Sequence, residues 1–377
     1  MLLSLCMIVR DSASFLQLNL PVLAEYVDEM VIVDTGSVDD TMAYCRSLGA
    51  RVYEMPWEND FSAPRNEAFR HAKGDWILCL DSDEFMAPEA LGVLREWLLS
   101  GEADGVAYKC PIYQNKLMEL TTQAQFHFRI KLIQNFKGFS YSGRIIEEIV
   151  DENGRGFEQV VSLMDMSVYH WGNPHNLNPV EWQAKKDRNI QILEALLSED
   201  PTSGERERYT YQLAVNYMES KVYDKAMVLF NQIMVDSQDN SVKLIEVGIK
   251  QARCLLDVGH IEDSQTLCLN LLELDAGRSE LWNILGLCSL MKKDFDSAET
   301  YFTNSVAQTL PTKTYVDFQV ADYTYLNRFY LGLTYFFQQN YARSEHYFRD
   351  SIEQGCHGDL LEKARYYLEK AQKEVYQ

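Results

Sequence analysis

Basic residues are scarce in this chain. Its 35 lysines and arginines stand against 56 aspartates and glutamates, a formal net charge of −21 at pH 7. A nucleic-acid binder needs basic surface to displace counterions, and so does a protein that docks on anionic lipid; neither is expected here. Paired cysteines are missing too. The eight cysteines are scattered with no Cys-x-x-Cys, which fits the reduced thiols of a cytoplasmic protein better than a disulfide frame or a zinc site. No apolar run approaches the ~18 residues of a membrane span. The run Met1 to Val9 has no leading positive charge and no small-residue cleavage site, and it meets Arg10 and Asp11. It reads as a first buried strand, not a signal peptide.

What remains is an ordinary globular composition, 46% hydrophobic and 24% charged. At 377 residues the chain exceeds one ordinary core, so two domains are expected. Up to about residue 175, strand and helix signals alternate. Leu2 to Val9, Glu29 to Val33, Ala50 to Met55 and Trp76 to Leu80 read as strands; Ser14 to Tyr26, Ala63 to Ala72 and Pro88 to Leu99 read as helices. Ser37 is placed to cap a further helix with Asp40 in its first turn. Such alternation predicts a mostly parallel, Rossmann-like α/β sheet covered by helices. Gly105 to Tyr113, Phe126 to Gln134 and Val160 to Trp171 read as later, partly antiparallel strands.

Gly172 to Pro179 is rich in Gly, Pro and Asn and reads as a linker. Residues 176–205 are taken as linker and connecting helix, and 206–377 as an all-α domain. There a pattern recurs: Leu213-Ala214, Tyr217, Ala226, Phe230; Leu285-Gly286, Ala298, Phe302; Leu331-Gly332, Tyr335, Ser344, Phe348; and, more weakly, Ala252, Leu255, Gly259, Ser264. A small residue, another about twelve later and an aromatic four after that matches the tetratricopeptide repeat, with an insertion around Pro311 to Tyr323. Such repeats bury their apolar faces only against neighbours and offer extended concave surfaces. Tyr209, Tyr211, Tyr217 and Tyr223 are candidate contacts for a peptide there, or core.

The chemistry is expected at WILCLDSDEF, Trp76 to Phe85. Five apolar residues stop at Asp81-Ser82-Asp83-Glu84. Three carboxylates this close raise one another's pKa and call for water or a cation. Ligands of open α/β sheets sit beyond the carboxyl ends of the strands. Asp81 and Asp83, two apart on extended chain, can face one Mn²⁺ or Mg²⁺, which would bridge a diphosphate. An acidic surface turn would carry the same residues. Asp34 ends the second strand at the same edge, where it can accept hydrogen bonds from a base or ribose or simply close a turn. Arg65 and Asn66 open a helix, and a helix amino-terminus with an arginine suits a diphosphate; a capped surface helix is the alternative.

The segments SLCMIVRDSASFL, VDEMVIVDTGSVDDT, NDFSAPRNEAF and KGDWILCLDSDEF together resemble, in order and spacing, the inverting nucleotide-sugar glycosyltransferases of family 2, which have a GT-A fold. The resemblance is strongest to the bacterial subgroup that carries carboxyl-terminal tetratricopeptide repeats and modifies peptides and proteins, including bacteriocin S-glycosyltransferases. It implies a GT-A domain over residues 1–175 and a UDP-sugar donor. Asp34 would contact the base, with Asp39 or Asp40 nearby; Asp81 and Asp83 would be the metal-binding pair, with Glu84 behind them. Gly143-Arg144-Ile145-Ile146-Glu147 resembles the subgroup's Gly-x-Ile-His-Glu segment, which places Arg144 at the donor and Glu147, or else Glu148, as the base. Tyr169-His170-Trp171-Gly172 resembles its His-x-Gly segment, which makes His170 a third metal ligand or a phosphate donor; a hydrogen-bonded histidine near a domain junction is the alternative. Two departures stand out: Ile146 replaces the usual histidine, and Asp11-Ser12 replaces Asn-Glu. The expected partner is a peptide or protein acceptor, with homodimerisation through the repeats. A repeat scaffold with a degenerate first domain, or transfer to a glycan, are the alternatives.

Overall fold

The structure is a computed structural model. It describes residues 3–113, 126–157, 160–163, 165–171, 179–199, 201–237, 240–309 and 320–375. The chain divides into two compact units, Met1–Arg188 and Asn189–Gln377.

The first unit is built on β1 (Leu3–Val9), β2 (Glu29–Asp34), β3 (Arg51–Glu54) and β4 (Trp76–Cys79). All four are parallel, in the order β3-β2-β1-β4. Their unbroken apolar runs feed two cores at once, because alternate side chains leave opposite faces of a sheet. Leu5, Met7, Ile32 and Leu78 enter one core, covered by helices α1 (Ala13–Tyr26) and α2 (Thr41–Ser47) and by α4 (Pro88–Ser100). Cys6, Val31, Val33, Ile77 and Cys79 enter the other, under α3 (Ser62–His71).

The rest of the sheet is mixed. A three-residue strand, β5 (Glu84–Met86), follows the acidic turn. Strands β6 (Ala107–Tyr113) and β7 (Phe126–Gln134) form an antiparallel pair, and β7 joins β4. A hairpin of β8 (Ser140–Ser142) and β9 (Glu148–Val150) stands apart. The short strand β10 (Val161–Ser162) lies parallel to β6. Finally β11 (Val168–His170) runs beside β6 and antiparallel to β5. Parallel strands therefore dominate one half of the sheet only. The linker expected at Gly172 to Pro179 lies, for residues 172–178, outside the described residues, and helix α5 (Pro179–Ser198) follows.

The second unit is helical throughout its described residues: α6 (Ser203–Glu219), α7 (Tyr223–Asp236), α8 (Ser241–Asp257), α9 (Ile261–Leu274), α10 (Ser279–Met291), α11 (Phe295–Val306), a 3₁₀ turn at Val320–Tyr323, α12 (Tyr325–Phe337), α13 (Tyr341–Glu353) and α14 (Gly358–Val375). Of the expected insertion, residues 311–319 lie outside the described residues. The repeat reads out physically. A Cβ added at Gly286 would stand 2.5 Å from the Phe302 ring, and one at Gly332 2.8 Å from Phe348. Ser264 and Ser344 donate to the carbonyls of Ala252 and Gly332 at 2.8 and 2.9 Å, tying the helices of two hairpins together. The first helix of each of four hairpins ends through a residue with positive φ: Lys221, Gly259, Lys293 and Gln339. Tyr209, Tyr211 and Tyr217 are buried, which decides for core over contacts for a peptide. Their apolar bodies fill the hairpin core, and the Tyr217 hydroxyl bonds to Glu194.

Candidate active site

Strands β2, β1 and β4 deliver their carboxyl ends to one edge, with Val9 beside Asp34 and Cys6 beside Cys79. Asp34 is 1% exposed. Its Oδ1 accepts the backbone N–H groups of Gly36 and Ser37 at 2.9 and 2.8 Å, and Gly36 takes the left-handed φ of 106° that this turn requires. Its Oδ2 is buried without a partner among the described residues. A buried carboxylate oxygen left unsatisfied is costly, so it marks a place for a donor from outside.

Ser37 does not cap the next helix. Its Oγ accepts the N–H of Asp11, and α2 starts at Thr41 behind Asp40. Asp39 binds across the loop instead, accepting from Ala13 and Thr41 at 3.2 and 3.0 Å. Asp11, one of the two departures, accepts from Val38 at 2.7 Å and so latches the loops after β1 and β2 together. Asp40 is exposed and its side chain makes no cap bond.

The acidic turn after β4 separates its carboxylates instead of pooling them. Glu84 turns inward to Lys131 of β7, Oε2 to Nζ 2.6 Å, both buried. Asp81 pairs with Arg65 at 2.7 Å. Asp83 lies 3.3 Å from His170 Nε2. The need for an outside cation is thus partly met from within. Burial alone would push the Asp81 carboxyl up, but Arg65 and then Lys131 outweigh it and hold the group well below the usual carboxylate range. For His170, burial disfavours the charged ring, and Asp83 reverses this and raises its pKa. Burial likewise works against the Lys131 ammonium, and Glu84 and Asp81 overcome it.

Arg65 binds a second carboxylate, Glu147, through Nε at 2.8 Å. It therefore bridges Asp81 and Glu147. Asn66 is engaged as well: its amide donates to the Tyr141 carbonyl at 2.9 Å and accepts the Tyr141 N–H at 2.7 Å, stitching α3 to β8. The Arg144 carbonyl accepts from Phe61 at 2.9 Å and the Gly143 carbonyl from Ser62 at 2.5 Å, so this segment is fastened to the start of α3. Ile146 sits at φ 57°, a backbone conformation a β-branched residue rarely adopts. Glu148 begins β9 and is exposed.

No three His, Cys, Asp or Glu side chains converge as a ready metal cage among the described residues. The donors at the edge still suit a divalent ion that keeps most of its coordination for water and ligand. Asp83 and His170 are adjacent, each about 21% exposed, and offer one carboxylate oxygen and one imidazole nitrogen. Lys131 and Asn19, whose amide donates to the Ser82 and Glu84 carbonyls, are absent from the sequence reading. Only a lysine alternating with apolar residues in β7 signalled the first, and nothing signalled the second.

The family model for glycosyl transferase family 2 matches residues 4–150. A TPR repeat-containing protein of Synechococcus elongatus is 48% identical over 206 residues, 52% of this chain and 48% of that protein. An uncharacterized glycosyltransferase of Rickettsia felis is 32% identical over 87 residues, 23% of this chain and 30% of that one. The chain thus spans about half, or less, of the length of these relatives. Among solved structures, S. aureus TarS 1–349 in complex with UDP-GlcNAc is 13% identical, covering 82% of this chain and 93% of that one, with a TM-score of 0.32. A TPR protein of Thermus thermophilus is 15% identical, covering 50% of this chain and 93% of that one, with a TM-score of 0.37. At these scores no functional conclusion rests on either. Among the described residues no helix is long and apolar enough to cross a membrane. By the family match and the order of its motifs, residues 4–150 form a glycosyl transferase family 2 domain, joined in one chain to helical repeats.

Proposed function

We propose that this chain is an inverting glycosyltransferase that moves a sugar from a UDP-linked donor to a hydroxyl or thiol side chain of a peptide or protein. The observation that carries this is the meeting, at one edge of a family 2 domain, of Asp34 with a buried unpartnered oxygen and of Asp81, Asp83, His170 and Glu147. Asp34 Oδ2 would accept an N–H from the base, and uracil carries one at N3. Held by Asp83 and His170 with Asp81 beside them, Mn²⁺ or Mg²⁺ would neutralise charge developing on the leaving diphosphate. Glu147, fixed in direction by Arg65, takes the acceptor's proton as its oxygen or sulfur bonds to the anomeric carbon and the bond to the diphosphate breaks, releasing UDP. Exposed Glu148 is the alternative base. The transferase domain is assigned to residues 1–175, and the repeats from about 206 present the acceptor or pair two copies of the chain.

A second reading, a repeat scaffold whose first domain no longer turns over, draws on one observation: Arg65 ties up two of the carboxylates the chemistry calls on. The two part in a simple assay. The full chain is incubated with Mn²⁺ and a panel of UDP-, GDP-, CDP- and dTDP-sugars, and released nucleotide is measured. Turnover confined to UDP-sugars is expected; no hydrolysis of any donor sinks the enzyme and leaves the scaffold.

A further inference from the structure

The turn Asp81-Ser82-Asp83-Glu84 is gripped from elements far apart in sequence. Glu84 Oε2 accepts both the Lys131 ammonium at 2.6 Å and the Asp81 backbone N–H at 2.8 Å. Asn19 of α1 donates one amide to two carbonyls of the turn, Ser82 and Glu84, at 3.0 Å each. The Asp83 carbonyl accepts the Trp171 N–H at 2.8 Å, and the Ser12 hydroxyl donates to Ser82 Oγ at 3.0 Å. Glu84, Lys131 and Asn19 are all buried, so none of them faces a ligand.

A buried ion pair is a poor way to gain stability. Well-packed apolar residues of similar volume are often as stable or more so, while removing one partner alone is strongly destabilising. What this pair supplies is direction. Through Glu84, Lys131 fixes the backbone at Asp81, and Asn19 fixes it one and three residues on. We propose that Lys131, Glu84 and Asn19 are positioning residues that aim the side chains of Asp81 and Asp83 at the donor site, acting through the turn and never touching the donor. This rests on the functional reading above and adds the residues that set its geometry.

The test uses the full chain and calorimetry of UDP binding, with and without Mn²⁺. Replacing the pair together, Glu84→Met with Lys131→Met, removes both charges, leaves neither charge unpaired, and frees the Asp81 N–H from Glu84. The thermal midpoint is expected to stay within a few degrees of the wild type. UDP affinity in Mn²⁺ is expected to fall about 10- to 100-fold, the range for residues that orient ligating groups, while UDP affinity without metal, governed at the Asp34 end, is unchanged. Metal-assisted affinity equal to wild type in a folded double variant overturns the proposal. Should the double variant not fold, Asn19→Leu decides: it takes two hydrogen bonds from the turn without moving a charge, and a loss of about tenfold in Mn²⁺ alone is expected. Unchanged affinity there overturns the proposal as well. Lys131→Arg, which keeps the charge, is expected to hold metal-assisted affinity near wild type. Absence of UDP binding by the wild-type chain is a different failure, because it removes the donor site itself.

Discussion

Both units bury charge, and they do so in opposite styles. In the helical unit Arg278, Glu280, Glu246 and Asp322 are each under 5% exposed, and Arg253, which reaches Asp322 at 3.4 Å, is the member that comes to the surface. Arg278 reaches Glu280 at 3.0 Å, Tyr323 donates to Glu280 at 2.5 Å, and Asn283 donates to Asp322 at 2.9 Å. In the sheet unit the inner members, Glu84 and Lys131, are as deeply buried, but the outer ones are not. Asp81 is about a third exposed, and Asp83 and His170 about a fifth. The helical cluster, carboxylates paired inside it, ties the turn at Val320–Tyr323 to α8 and α10. An open one, anchored by charge behind and facing outward in front, is the form a binding site takes.

That contrast is broken most severely at its open end. Asp83→Ala is expected to leave the circular dichroism and melting of the chain unchanged and to abolish donor hydrolysis; retained turnover in a chelator would remove the metal from the mechanism. Glu147→Gln is expected to lower kcat about 100-fold or more while UDP affinity stays within about twofold, and an unchanged rate moves the base to Glu148. In the helical unit the effect belongs to folding. Gly286→Val drives a side chain into Phe302 and is expected to cost about 1–3 kcal/mol, read by urea unfolding, with UDP affinity unaltered. A variant that lost both together would show that the units do not answer separately.

The smallest effect concerns Asp322. Burial pushes its carboxyl up, and Arg253 draws it down less than burial raises it. A carboxyl whose folded pKa is raised contributes stability that is complete below its unfolded value, near 3.9, and is lost as pH rises through the folded value. Asp322→Asn, which cannot ionise, is therefore expected to melt at or above the wild type at pH 7, with the advantage gone near pH 4. A variant clearly less stable at pH 7 would show that the ionised pair with Arg253 holds the turn.

What the sequence made legible follows the range of the forces involved. β1, β2 and β4 were readable because a strand buried on both faces needs an unbroken apolar run, and Leu5, Val31 and Leu78 are completely buried. The repeat was readable because close helix contact leaves room for nothing larger than Gly286 or Gly332 opposite Phe302 and Phe348. The three-residue β5 was invisible, since its partner β11 lies more than eighty residues on. So were the bonds that Arg65 and Asn66, at a helix start, make to Glu147 and to β8. Periodicity reports the neighbours of a residue along the chain; ion pairs between distant strands leave no trace in it.

The central claim is that the edge holding Asp34, Asp81 and Asp83 receives a nucleotide diphosphate with the help of a metal. Titrating UDP into the full chain by calorimetry, with Mn²⁺ and then with chelator, tests it most directly. Binding that tightens at least tenfold with Mn²⁺, and loses that gain in Asp83→Ala, is the expected result. Equal affinity in metal and chelator, or no heat in either, contradicts it.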